Sequence, residues 1–144
     1  MTLLGAFLLA MLSNPSPSQP LKVETKGVTA AILYEAPVVG GHLPELSGKY
    51  KLRITEIAIA PGGHVGEDNH RGPGIRKMTE GRMNYIMPDQ SVVYSSGDYF
   101  FEAGDVSHRV VNDSGTACKH LLFEILPKEV EGPSPIPAQN PSPH

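Results

Sequence analysis

Apolar and polar residues alternate with a period of two along most of the middle of the chain. Residues 28–33 form a short apolar run. Residues 50–60 alternate, with Leu52 and Ile54 on one phase and Ile57 and Ile59 on the other. A change of phase inside one segment predicts either a bulge or apolar residues on both faces. Residues 82–87 set Met83, Tyr85 and Met87 against Arg82 and Asn84. Residues 91–94, 98–102, 107–111 and 117–126 continue the pattern, separated by short turns. No 3.6-residue amphipathic pattern appears in this region. The pattern predicts an all-β domain of many short strands, a sandwich or barrel.

The two ends read differently. Residues 3–12 are apolar and have the length of a signal-peptide core, but no positive segment precedes them and no small-x-small site follows. A short N-terminal helix fits as well, so both export to the periplasm and a cytoplasmic location stay open. Residues 13–20 contain three prolines and read as a linker. The sequence therefore divides into an N-terminal segment (1–20), a β-barrel domain (21–127) and a Pro-rich C-terminal tail (128–144) expected to be extended and mobile.

Composition narrows the function classes. The 144 residues suit one modest core, and 15 Gly with 14 Pro suit tight turns. The net charge is −3 with no basic run, which argues against nucleic-acid binding. No apolar stretch approaches the roughly 20 residues that span a bilayer. The single cysteine, Cys118, excludes an intramolecular disulfide and a Cys-based zinc cluster, and reads as a strand residue.

The candidate chemistry lies in two Gly-flanked stretches, 62–81 and 97–112. Asp68 and His70 are two apart, so on a strand they share a face, and His108 lies on another β-rich segment. Two histidines and one carboxylate can hold Fe(II) on one face and leave positions open. His64 has the same parity and is a reserve ligand. Arg76 shares the parity of Gly74; pointing inward it needs an anionic partner, either a substrate carboxylate or an acid such as Glu102. Glu102 is also the candidate catalytic base, and Tyr85 a candidate substrate contact. Met78, Met83, Met87, Tyr99 and Phe101 are candidate pocket walls or core. Asn112 reads as a turn-closing residue, His120 as core or rim, and His42 and His144 as surface residues.

These stretches resemble the two cupin motifs, Gly-x5-His-x-His-x3-4-Glu-x6-Gly and Gly-x5-Pro-x-Gly-x2-His-x3-Asn. Gly62, His70, Gly81, Gly97, His108 and Asn112 stand at motif positions. Asp68 stands in place of the first His, Gly74 in place of the Glu, Ala103 in place of the Pro and Asp105 in place of the second Gly. The fifteen residues between Gly81 and Gly97 resemble the compact bacterial type. The resemblance covers roughly residues 57–126. It implies a small jelly-roll barrel, a homodimer and one divalent transition metal (Fe, Mn, Ni or Zn) on Asp68, His70 and His108, with a coordination position opened at Gly74. Cupins include dioxygenases, isomerases, epimerases, lyases, sugar binders and regulators, so the fold does not settle the activity. The leading expectation is a mononuclear metalloenzyme of the dioxygenase, isomerase or lyase type on a small anionic substrate. The alternatives are a metal-free barrel that binds or senses a small molecule, and a structural module that dimerises through an edge strand or the N-terminal segment.

Overall fold

The computed structural model describes residues 22–139. The N-terminal apolar run and the whole of the linker lie outside the described residues, as do residues 140–144. The described chain holds nine strands and no helix: β1 (Thr25–Pro37), β2 (Tyr50–His70), β3 (Gly74–Glu80), β4 (Arg82–Ile86), β5 (Ser91–Ser95), β6 (Tyr99–Glu102), β7 (His108–Val111), β8 (Cys118–Pro127) and β9 (Pro135–Pro137). The pairing is antiparallel throughout, in the order β5-β4-β7-β2-β8-β3-β6, with β1 and β9 also paired to β2. The all-β jelly-roll expectation holds.

β2 organises the molecule because its two halves serve two layers. Tyr50–Ile59 pairs with β8 on one side and β1 on the other. The second half, to His70, pairs with β7 and β9. Between the halves the strand bends at Gly62, whose φ of 70° is in the left-handed region that favours glycine. Asn112 braces the bend. Its buried Nδ2 donates to the carbonyls of Ile59 (2.9 Å), Ala60 (3.3 Å) and Thr116 (2.8 Å), and its Oδ1 accepts from Ser114. The backbone closes the same joint, with Gly62 N donating to Asn112 O and Asn112 N donating to Gly63 O. The two most distant motif positions, Gly62 and Asn112, are thus neighbours.

The core lies between the two layers. Ile57, Ile59, Met78, Met83, Tyr85, Phe100, Val110, Cys118 and Leu122 are buried there, with Met87 packed against them. Tyr99 and Phe101, expected as possible pocket walls, face out and are exposed, because Phe100 and Glu102 take the inward positions of β6. The phase change in residues 50–60 now has a cause. β2 pairs with β8 over Tyr50–Ile59 with no register shift, while Leu52 and Ile54 face outward and Ile57 faces inward. Both faces are apolar, and no bulge toward β8 is involved.

The C-terminal segment departs from the expectation. Residues 128–139 pack on the barrel rather than trailing from it. Val130 and Ser134 are buried, and β9 pairs with Asp68, Asn69 and His70. Arg53, itself buried, donates to the carbonyls of Gly132 (2.6 Å) and Val130 (3.1 Å) and to Glu35 (2.6 Å). Proline does not prevent this, because Pro135 and Pro137 sit in a three-residue strand at a sheet edge, where a missing N–H costs little.

Replacing Asn112 by Ala leaves three carbonyls at the bend without their shared donor. We expect a loss of about 2–4 kcal/mol in unfolding free energy, measured by urea denaturation. A change within 0.5 kcal/mol would show that the bend does not depend on this side chain.

Candidate metal centre

Four strands aim polar side chains at one point inside the barrel. β2 supplies Asp68 and His70, β7 His108, β3 Arg76, and β6 Glu102; all are buried. Asp68 and His108 are register partners on adjacent strands, which brings two sequence-distant residues side by side. Single ligand atoms of Asp68, His70 and His108 all lie within 4.8 Å of one another. His70 Nε2 is 3.2 Å from Asp68 Oδ2 and 3.1 Å from Glu102 Oε1. His108 Nε2 is 3.6 Å from Asp68 Oδ1 and 3.4 Å from Glu102 Oε2. Both oxygens of Asp68 and Nε2 of His108 are buried and make no hydrogen bond. Three orphaned acceptors facing a common space are what a bound cation would satisfy.

Arg76 points inward, as its parity predicts, and its partner is Glu102. Nε donates to Glu102 Oε2 (2.5 Å), Nη1 donates to His120 Nε2 (2.5 Å), and Nη2 lies 3.2 Å from His70 Nε2. The internal acid anticipated for it is in place. Tyr85 is also committed: its hydroxyl donates to Glu102 Oε2 (3.2 Å), and its ring stacks on His108 at 4.6 Å. His120 belongs to this network rather than to the core at large, and its Nδ1 has no partner.

The electrostatics follow from burial and charge. Burial pulls His70 down, but the Asp68 and Glu124 carboxylates and the charge of Glu102 outweigh it and lift its pKa to about 9. Burial pushes Glu102 up, but Arg76, His70 and His108 hold it down at about 2. A carboxylate held so low is a weak base and a fixed counter-charge to Arg76. Burial lowers His108, and burial with the charge of Arg76 lowers His120 further, so both are neutral acceptors. Burial and the Glu102 charge raise Tyr85, which stays a donor.

Gly74 does not leave a hole. A Cβ there would lie 2.7 Å from Phe123 O and 2.9 Å from Leu122 Cδ1, so β8 already fills the space where the motif has a Glu. The acid is displaced sideways. Gly74 pairs with Glu102 on β6 and with Glu124 on β8, so carboxylates flank it in one register row. The sequence reading missed Glu124, which lies 2.9 Å from His70 Nδ1. Its signal was parity with His120 along the last strand. His64 is not a reserve ligand: the β2–β7 register shifts between Val65 and Asp68, and His64 turns toward Glu24 at 3.3 Å. A cleft of about 440 Å³, bordered by Asn69, Arg71, Phe101, Asp105 and Ile136, shares only His70 with the cluster.

Residues 55–124 match the cupin domain family, Cupin_2. Over these residues the family match and the strand topology agree on a cupin domain. Among solved structures it is similar to Rru_A2000 from Rhodospirillum rubrum, a cupin-2 domain, at 18% identity and a TM-score of 0.57, covering 89% of this chain and 74% of that one. It is also similar to the polyketide cyclase RemF from Streptomyces resistomycificus, at 18% identity and a TM-score of 0.54, covering 84% and 88%. Salicylate 1,2-dioxygenase from Pseudoaminobacter salicylatoxidans is similar at 19% identity and a TM-score of 0.52, covering 68% of this chain and 25% of that one. At these identities the likeness concerns the fold alone. No curated protein sequence matches the chain.

Truncating Arg76 to Met should strand the buried Glu102 charge and cost about 3–5 kcal/mol. A second change, Glu102→Leu, should recover most of that loss. Urea denaturation of the two single variants and the double variant measures the coupling. Additive losses would mean that the pair is not a unit.

Proposed function

We propose that this cupin holds one divalent transition metal on Asp68, His70 and His108 and acts as a mononuclear metalloenzyme on a small organic substrate, with chemistry of the dioxygenase, isomerase or lyase type. The observation that carries the reading is the set of orphaned buried acceptors, both oxygens of Asp68 and Nε2 of His108. Charge supports it. The cluster holds three carboxylates, Asp68, Glu102 and Glu124, one guanidinium and a His70 held protonated, a formal balance of −1, which a divalent ion that displaces the His70 proton would bring to zero. A 2-His-1-carboxylate set suits Fe(II), Mn(II), Ni(II) or Zn(II). Such an ion would supply Lewis-acid polarisation, or dioxygen binding where it is iron. The chain's own part is to position and to keep water out: Arg76 and Tyr85 fix Glu102, and the stacked Tyr85 ring fixes His108. Arg76 is occupied by Glu102, so the reading no longer specifies an anionic substrate. One observation favours a metal-free ligand-binding barrel instead: the Arg76 guanidinium already places a cation 3.2 Å from His70 Nε2.

Mass spectrometry of the purified protein should find near-stoichiometric metal, absent from a His70→Ala, His108→Ala double variant. No metal after reconstitution with each of the four ions would overturn the enzyme reading and leave the binding barrel.

The partner we propose is a second copy of this chain, seated on the outer face of the β1-β2-β8-β3-β6 layer. Tyr34, Ile54, Phe123, Ile75 and Phe101 form one cross-strand row over five strands, flanked by Leu52 and Tyr99. Ile54 is half-buried, and the exposure of the other members runs from 40% for Phe123 to 68% for Phe101. At on the order of 100 Å² each, such side chains approach the roughly 800 Å² per partner of a stable interface. The face is self-complementary in charge. Glu56 and Lys77 flank Leu121 in the next row, so a twofold axis along β8 sets Glu56 of each copy against Lys77 of the other. Sedimentation equilibrium should give a dimer, and Phe123→Lys a monomer with the fold intact. A monomeric parent protein at 50 μM would overturn this.

A further inference from the structure

The carboxyl-terminal segment beyond the matched family region is tied to a candidate ligand, His70, at Nδ1, while Nε2 faces Asp68 and Glu102. Ser134 Oγ donates to Glu124 Oε1 (2.5 Å), Glu124 Oε1 lies 2.9 Å from His70 Nδ1, and Ser134 Oγ itself lies 3.2 Å from that nitrogen. All three residues are buried. The backbone is tied at the same place. Pro135, Ile136 and Pro137 pair with His70, Asn69 and Asp68, Arg71 N donates to Ser134 O, and Gln139 N donates to Asn69 Oδ1. Arg53 anchors the start of the segment through the carbonyls of Val130 and Gly132.

We propose that Ser134, carried by this segment, is a positioning residue for the metal site, acting through Glu124 on His70. The reasoning is chemical. An imidazole that ligates through Nε2 must keep its hydrogen on Nδ1, and an acceptor at Nδ1 fixes both that tautomer and the ring plane. Glu124 is the acceptor. Its Oε1 is shared with the Ser134 hydroxyl, which sets where that oxygen stands. The same strand pairing fixes Asp68 and His70 together, so one short segment orients two of the three proposed ligands. Residues 128–139 therefore complete the site, although the matched family region ends at residue 124.

The inference rests on the metal reading, and the experiment separates the two. Full-length protein is titrated with Co(II) and followed by its visible d–d spectrum, for the parent chain, Ser134→Ala, Ser134→Thr and Val130→Ala. Val130→Ala removes buried apolar packing at the start of the segment and leaves the Ser134, Glu124 and His70 contacts in place. We expect Ser134→Ala to weaken Co(II) binding about 10–100-fold and to change the d–d bands. Ser134→Thr should restore both, and Val130→Ala should change neither. Parent-like affinity and spectrum in Ser134→Ala would overturn the inference, as would an equal loss in Val130→Ala. A parent chain that binds no Co(II) would sink the metal reading instead. The inference then stands or falls on the proton NMR signal of His70 Nδ1–H in metal-free protein. A slowly exchanging signal lost in Ser134→Ala supports it, and one unchanged by the substitution overturns it.

Discussion

Arg76 carries a full positive charge into the barrel, and the arrangement of the interior follows from that charge. A buried guanidinium without an anion would cost several kcal/mol, a large share of the stability of a small domain. Glu102 meets it on the neighbouring strand, His120 accepts a second N–H, and His70 Nε2 lies near a third. Glu102 is then fixed from two sides, by Arg76 and by the Tyr85 hydroxyl, and Tyr85 in turn stacks on His108. The position of His108 is thus set by a chain of contacts that starts at Arg76. Buried ion pairs contribute little net stability compared with apolar packing of the same volume. Their use here is geometric: a web of short contacts permits few arrangements of the ligand side chains.

Much of the fold was legible because period-two alternation and Gly-bounded turns are local signals. The parity that put Asp68 and His70 on one face, and Arg76 inward, survives in the structure for the same reason. What was not legible depends on pairing between distant strands. Gly74 looked like an absent ligand because a motif is read along one strand. Across the sheet its neighbours on both sides are glutamates, and the space at its own Cβ is closed by Phe123 O and Leu122. His64 failed for a related reason: parity holds only while register holds, and β2 shifts against β7 between Val65 and Asp68. The tail misled because its prolines argued against a sheet interior, whereas β9 lies at an edge and needs few donors.

The same strands serve two surfaces at once. On β8 Glu124 faces the cluster while Phe123 faces out; on β3 the pair is Arg76 and Ile75; on β6 it is Glu102 and Phe101. Alternation makes this unavoidable, since neighbouring residues in a strand point to opposite faces. The apolar row and the inward acids therefore share a backbone, and whatever orders one orders the other. A sheet layer with its outer face in water can twist and breathe along its free edges. A layer packed on a second sheet about 10 Å away loses that freedom. Fixing the row would hold Glu102, Arg76 and Glu124 in register with Gly74, where spacing along the chain alone cannot hold them. The outer face is thus part of the physical account of the inner one, even though no outward side chain touches the cluster.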